Sequence, residues 1–495
     1  MSIPLPPPRL LWLAALLSCS PLAQASASSS PTQACRVPGW ANELQCGVVQ
    51  RPLNPDDPKS VKIDVHYVVV PAVARNKRPD PLVFFAGGPG QSAITLQPKL
   101  MGQLRSLNTR RDLVFIDQRG TGRSAPLACP DSSKQSQKNS VGTASLVREL
   151  QACQAALQKL PHGDLRYYTT TLAMQDADAV RQQLGVAQWN LMGASYGTRA
   201  ALEYQRQFPA AVRRTLIDGV APPDMTLPEA SSHDGQAALD TVFKACETEP
   251  SCAKQHPQLR QRWASLLQSL PRQAALRHPL NGVLENVTLE RDDVVRLVRA
   301  PLYVPALSSA LPEAIERAAS GDFQALAGLS QGLTGGSARD RMFMGMHFSV
   351  VCAEDAPRQR ASFVGGGDFG ASDARFYGAV CQNWPRGSVP EAFYTTPQSR
   401  SAVLLLSGGA DPVTPPRHGE RIARALGSLA LHVVAPNLGH GVMSQACLRD
   451  AIKQFFNADT DAQALQAVRD KADCLQSIPR ALAYRSASAA SAPQP

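Results

Sequence analysis

Short apolar runs recur in the first part of the chain, each ending in a glycine-rich or polar loop: Pro81 to Phe85, Asp112 to Ile116, Gln188 to Met192 and Arg213 to Ile217. Helix-like stretches separate them, notably Ser145 to Leu160, Met174 to Leu184 and Thr198 to Gln207. A strand that is apolar at nearly every position must be covered on both faces, and parallel strands need the long crossovers that helices supply. The pattern predicts an α/β chain with a mostly parallel sheet covered by helices on both faces. Two further strands are expected upstream, Cys46 to Val49 and Val61 to Val70, around the Pro- and Asp-rich turn Pro52 to Lys59.

The alternation stops near Ala221, and the chain to about Thr396 is helix-like and punctuated by proline, without convincing buried strands. Strand patterns resume at Ala402 to Leu406 and Leu431 to Val434. A sheet interrupted and then continued implies a large inserted helical cap. The expected division is a signal peptide over 1–25, a first core part over 36–225, the cap over 226–396, a second core part over 397–480, and a disordered Ala/Ser/Pro-rich tail over 486–495. A length of 495 residues suits one large domain with an insertion, or two domains.

Export is expected from the N-terminus: Arg9 gives the positive start, Leu10 to Leu17 the apolar core, and Ala23-Gln24-Ala25 a small-residue cleavage site. Leu16-Leu17-Ser18-Cys19 also resembles a bacterial lipoprotein box, so lipidation at Cys19 is the alternative processing route. Of 11 cysteines, removing Cys19 leaves ten, an even number that favours disulfides in a periplasmic or secreted protein. Short loops close most easily, which predicts pairing in chain order: Cys35–Cys46, Cys129–Cys153, Cys246–Cys252, Cys352–Cys381 and Cys447–Cys474. No C-x-x-C pair or His/Cys cluster suggests a metal, and no cofactor is expected. The net charge of +10 is scattered in pairs such as Arg110-Arg111, so a nucleic-acid partner is not expected. Beyond the N-terminus no apolar run approaches the roughly 20 residues that span a bilayer.

The strongest chemical signal is Gly193-Ala194-Ser195-Tyr196-Gly197, after one predicted strand and before a helix. It fits G-x-S-x-G in the context where a serine nucleophile sits on a tight, strained turn whose flanking positions have no room for side chains. A serine needs a base oriented by an acid. His440 lies between Gly439 and Gly441 straight after the last predicted strand, a better base position than His432 within that strand or His418 after Pro415-Pro416. Asp411, beyond the strand Ala402 to Leu406, is the favoured acid over Asp218, which also ends a strand and otherwise reads as a cap for the turn before Pro222-Pro223. The order Ser195, Asp411, His440 is that of α/β-hydrolases. Oxyanion donors are expected at the backbone N–H of Tyr196 and of Gly88, within Gly87-Gly88-Pro89-Gly90. The loop Asp117 to Ser124 is read as packing beside that loop rather than as a substrate contact.

Together, Gly87-Gly88-Pro89-Gly90, Asp117-Gln118-Arg119-Gly120, Gly193 to Gly197 and Asp411-Pro412-Val413-Thr414-Pro415 resemble the S33 peptidase family, which contains the proline iminopeptidases and the secreted tripeptidyl aminopeptidases; the length, export signal, large insert and terminal strand segment resemble the tripeptidyl branch. The likeness covers about Gly47 to Met225 and Ser401 to Phe456, and the insert only loosely. Ala86 departs from it, since the family often has His there. The resemblance implies an α/β-hydrolase fold and a serine aminopeptidase that removes short peptides from the N-termini of small peptide substrates under a helical cap. Such an enzyme needs a cap carboxylate for the substrate α-ammonium, and Glu354 in Val351-Cys352-Ala353-Glu354-Asp355 is the expected one. An esterase or lipase-like acyl hydrolase with the same triad is the alternative.

Overall fold

The computed structural model describes residues 1–4, 30–130, 142–277, 282–334 and 342–483. The expected signal-peptide run Leu10 to Leu17, Cys19 and the tail over 486–495 lie outside them. Among the described residues no helix is long and apolar enough to cross a membrane.

Nine strands form the main sheet: β1 (Gln33–Cys35), β2 (Leu44–Pro52), β3 (Lys62–Val70), β4 (Leu82–Phe85), β5 (Leu113–Ile116), β6 (Trp189–Ala194), β7 (Val212–Asp218), β10 (Val403–Gly408) and β11 (Ala430–Ala435). Their spatial order is β1-β2-β3-β5-β4-β6-β7-β10-β11. The first pairings, up to β3 with β5, are antiparallel, and every pairing from β5 to β11 is parallel. The burial follows the chemistry of the runs. All residues of β4, β5 and β10 are buried, as central strands require, whereas the first half of β3 alternates between exposed and buried.

Helices α1 (Ala93–Asn108), α2 (Thr143–Leu157), α3 (Thr170–Gln183) and α4 (Tyr196–Gln207) connect or cover the first strands. The Ser92 side chain caps α1 by accepting the Thr95 N–H, and Thr169 caps α3 through the Leu172 N–H. Later, α14 (Pro416–Leu426), α15 (Arg449–Asn457) and α16 (Asp461–Arg469) complete the layers. One apolar core on each face of the sheet results.

Between β7 and β10 the chain forms α5 (Leu227–Thr248), α6 (Pro250–Gln255), α7 (Leu259–Gln268), β8 (Arg272–Arg277), β9 (Leu284–Leu289), α8 (Arg291–Leu302), α9 (Pro305–Ser308), α10 (Leu311–Ala319), α11 (Gln324–Thr334), α12 (Met344–Glu354) and α13 (Ser372–Cys381). The insert is therefore not wholly helical, because β8 and β9 pair as an antiparallel hairpin. Their sequences bury only alternate positions, among them Ala274 and Val287, so no apolar run marks them. The insert also has two allegiances. Helices α5 to α8, α10, α11 and the hairpin share one core, whereas α12 and α13 pack with Leu127, Leu157 and Tyr168 from the first part of the chain.

Five disulfides join the described cysteines, and the pairing is the chain-order one expected.

Candidate active site

The parallel register lines up the C-terminal ends of four strands. Ala194 of β6 lies level with Asp218 of β7, Asp218 with Leu406 of β10, and Gly408 of β10 with Ala435 of β11. Ser195, Asp218, Asp411 and His440 thus all leave the same edge of the sheet.

Ser195 begins the turn from β6 into α4 with φ 56° and ψ −125°. A non-glycine residue held there costs about 1–3 kcal/mol, sustained only where the surroundings enforce it. They do so closely: a Cβ on Gly193 would lie 2.3 Å from the Gly197 carbonyl oxygen, and one on Gly197 would lie 2.1 Å from the Phe85 oxygen. The Ser195 N–H donates to the Asp218 carbonyl at 2.9 Å. Gly197→Ala is expected to destabilise the fold by about 3 kcal/mol, since the obstacle is main chain. Thermal unfolding checks this, and a variant melting with the wild type would show that the turn tolerates a side chain.

His440 Nδ1 lies 2.7 Å from Asp411 Oδ2. Asp411 is buried and further accepts the Val413 and Thr414 N–H groups, each at 2.9 Å, and the Thr414 hydroxyl at 2.7 Å. An ionised carboxylate only accepts, so Nδ1 carries the imidazole proton and Nε2 keeps its lone pair. The imidazole packs edge-on against Tyr303, whose carbonyl accepts the His440 N–H at 2.9 Å. Gly219, at φ +67°, leaves room for the ring: a Cβ there would lie 3.2 Å from His440 Cε1. Burial would raise the Asp411 carboxyl, but the His440 charge and hydrogen bond outweigh it and hold the group below its ordinary value. Burial would likewise lower His440, and the charge and hydrogen bond of Asp411, with the charge of Asp218, instead raise it above 6.5.

Asp218 has a different task from either one considered for it. Its Oδ2 accepts the N–H groups of Val442 and Met443, each at 2.8 Å, so it anchors the loop that follows His440 rather than capping the turn before Pro222-Pro223. Oδ1 has no hydrogen-bond partner among the described residues, and burial pushes the carboxyl up to about 6.

The glycine loop approaches the serine: a Cβ on Gly87 would lie 3.1 Å from Ser195 Cβ. Gly88 holds φ +111°, open to glycine. Tyr196 opens α4, where the first N–H groups have no intrahelical acceptor. Its ring turns inward, and the hydroxyl meets Gln118 Nε2 at 2.8 Å and Thr170 Oγ1 at 2.6 Å. In the neighbouring loop, Asp117 accepts the Ser92 hydroxyl at 2.6 Å, and the buried Arg119 pairs with Asp176 at 2.6 Å. Both side chains pack structure, as expected for this loop.

Glu354 does not roof an opening. It is 0% exposed, accepts the Thr170 N–H at 2.7 Å through Oε1 and the Thr170 hydroxyl at 3.0 Å through Oε2, and lies 3.6 Å from Arg199. Asp355 takes Arg199 at 2.8 Å. Burial pushes the Glu354 carboxyl up to about 7. With both oxygens engaged and no exposed surface, Glu354 in this arrangement is a buried structural partner and not the expected contact for a substrate ammonium.

Residues 368–464 match the family model described as TAP-like protein. The chain has an α/β-hydrolase fold and is similar to peptidases of the S33 type. The chain is 26% identical over 316 residues to the tripeptidyl aminopeptidase of Streptomyces lividans, covering 57% of this chain and 55% of that protein. It is 28% identical over 220 residues to the putative hydrolase YuaR of Escherichia coli, covering 42% and 44%. It is 27% identical over 239 residues to the serine protease Hip1 of Mycobacterium tuberculosis, covering 46% and 45%. The matches span about half the length of these relatives.

Two residues of the site carry no clear mark in the sequence. Thr414 stands three residues after Asp411, a spacing at which an Asp side chain and a Thr close a local turn, so turn chemistry could have found it. Tyr303 comes from the insert, and nothing in its local sequence marks a partner for His440.

Proposed function

We propose that this hydrolase is an exported serine peptidase that cleaves short peptides from the N-termini of peptide substrates through an acyl-enzyme on Ser195. His440 Nε2 takes the hydroxyl proton as Oγ attacks the scissile carbonyl carbon. Asp411 holds the imidazole tautomer and stabilises the imidazolium, and the N–H groups of Gly88 and Tyr196 receive the oxyanion. Collapse of the tetrahedral adduct breaks the C–N bond as His440 returns the proton to the leaving amine. Water then attacks the acyl-enzyme by the same route, releasing the acyl part as an acid. The observation that carries this reading is the 2.7 Å pairing of His440 with a buried Asp411 at the sheet edge where Ser195 is held at positive φ. The names of the relatives favour peptides, and five disulfides fit an oxidising compartment.

The enclosure of Glu354 favours a second reading, an esterase with the same triad, because the residue expected to select a free N-terminus is not available. Comparison of one peptide in free and N-acetylated form, beside a p-nitrophenyl ester, decides between them. The peptidase reading expects the free form to be preferred by about 10- to 100-fold in kcat/KM, the worth of one charge-assisted hydrogen bond. Equal rates would end the aminopeptidase reading, and turnover of the ester alone would put the esterase first.

A further inference from the structure

The glycine loop beside Ser195 is held from the insert. The Phe343 N–H donates to the Gly90 carbonyl at 2.9 Å, just before α12. One turn on, His347 places Nδ1 3.1 Å from the Pro89 carbonyl oxygen and Nε2 2.9 Å from the Tyr377 hydroxyl of α13. A carbonyl can only accept, so a bond to it requires the proton on Nδ1, and Nε2 is then the acceptor for the Tyr377 O–H. His347 is buried, and its ring packs against Phe348 and Tyr377. Burial holds the imidazole down to about 4 and pushes the phenol up to about 12, so one proton arrangement persists across the working range.

The loop needs such a tie. Gly88 and Gly90 sit at φ +111° and +110°, and glycine leaves the backbone wide freedom on either side of Pro89. We propose that His347, oriented by Tyr377, is a positioning residue for the oxyanion loop: by holding the Pro89 carbonyl it fixes where the Gly88 N–H points. This rests on the proposed function, because an aimed donor matters only if Ser195 forms a tetrahedral adduct. The carbonyl on the stiff proline is one residue from the donor, so the loss expected on cutting the tie is smaller than the 10²–10³ that removal of a whole donor costs in kcat.

The test compares His347→Phe, His347→Gln and Tyr377→Phe with the wild type on a small p-nitrophenyl ester, so that peptide selectivity plays no part. A boronic acid that forms a tetrahedral adduct on a serine serves as the transition-state probe. His347→Phe is expected to lower kcat by about 10- to 100-fold with KM changed by no more than about two-fold, and to weaken the boronate by the same factor. His347→Gln, whose amide N–H can donate to Pro89, should recover part of the loss, and Tyr377→Phe should show a smaller loss in the same proportion. Should His347→Phe fail to fold, Tyr377→Phe, which keeps the ring and deletes only the donor, carries the comparison. Unchanged kcat in the folded variants, or a fall in kcat without a matching loss of boronate affinity, overturns the inference while leaving the proposed function in place. A wild type that neither turns over the ester nor labels at Ser195 with a fluorophosphonate overturns both.

Discussion

Ser195→Ala is expected to lower kcat by on the order of 10⁴–10⁶ while leaving the fold intact. The size of the loss comes from deleting the atom that starts the covalent path: without Oγ, no acyl-enzyme forms, and His440 has no proton to take. The fold should tolerate the change because the structural bond at this position is made by the backbone, whose N–H donates to the Asp218 carbonyl, and no side-chain cap is made to α4. Alanine keeps the Cβ that the turn already accommodates, so stability should stay within about 0.5 kcal/mol of the wild type. His440→Ala should be nearly as severe. Steady-state kinetics on the purified variant, with a melting curve beside it, provides the measurement. Retention of substantial turnover by a folded Ser195→Ala variant would mean that another nucleophile does the work.

The sheet and the nucleophile turn were legible because their signals are local. Apolar runs such as Leu113–Ile116 and Val403–Gly408, short and closed by turn residues, read as buried strands, and glycines two residues either side of Ser195 have a steric reason that the neighbouring Phe85 and Gly197 carbonyls make plain. What was hidden depends on contacts far apart in the chain. Helix α1 carries Pro98 in its interior, which reads as a break although Ser92 caps a helix that runs through it. Ala274 and Ala275 gave no strand signal, so the hairpin was missed. The misplacement of Glu354 is the most instructive. Met344–Glu354 carries apolar residues on every side, with only His347 and Ser349 polar before its last residue, and a helix of that kind is buried on all sides. That pattern speaks against a roof with one face to an opening, and it puts the terminal carboxylate among interior partners such as Thr170 and Arg199. No pattern within α12 could have shown that His347 meets Pro89, which lies 258 positions earlier in the chain.

The choice of acid yields the second large effect. Asp411→Asn is expected to lower kcat by on the order of 10³–10⁴, because an amide can present an N–H to Nδ1 and leave the imidazole in the wrong tautomer. The pH dependence should move with it. A general base must be neutral, so kcat/KM should fall as pH drops through the pKa of His440, which Asp411 raises above 6.5. Removing that charge leaves burial opposed only by the smaller influence of Asp218, and the acid limb of the residual activity should shift to lower pH. Asp218→Asn should behave differently on both counts. Its amide oxygen can still accept the Val442 and Met443 N–H groups, and it makes no bond to the imidazole, so activity should stay within about ten-fold of the wild type. Its stability should also carry a distinct sign. The folded-state pKa of Asp218 is raised to about 6, above the ordinary carboxylate value, so the folded protein prefers the protonated form and loses stability as pH rises through that window. The asparagine variant has no proton to lose, and relative to wild type it should melt higher at about pH 8 than at about pH 5. Should Asp218→Asn abolish turnover while Asp411→Asn keeps it, the two carboxylates would have to exchange roles, and the 2.7 Å pairing of Asp411 with His440 would be structural instead.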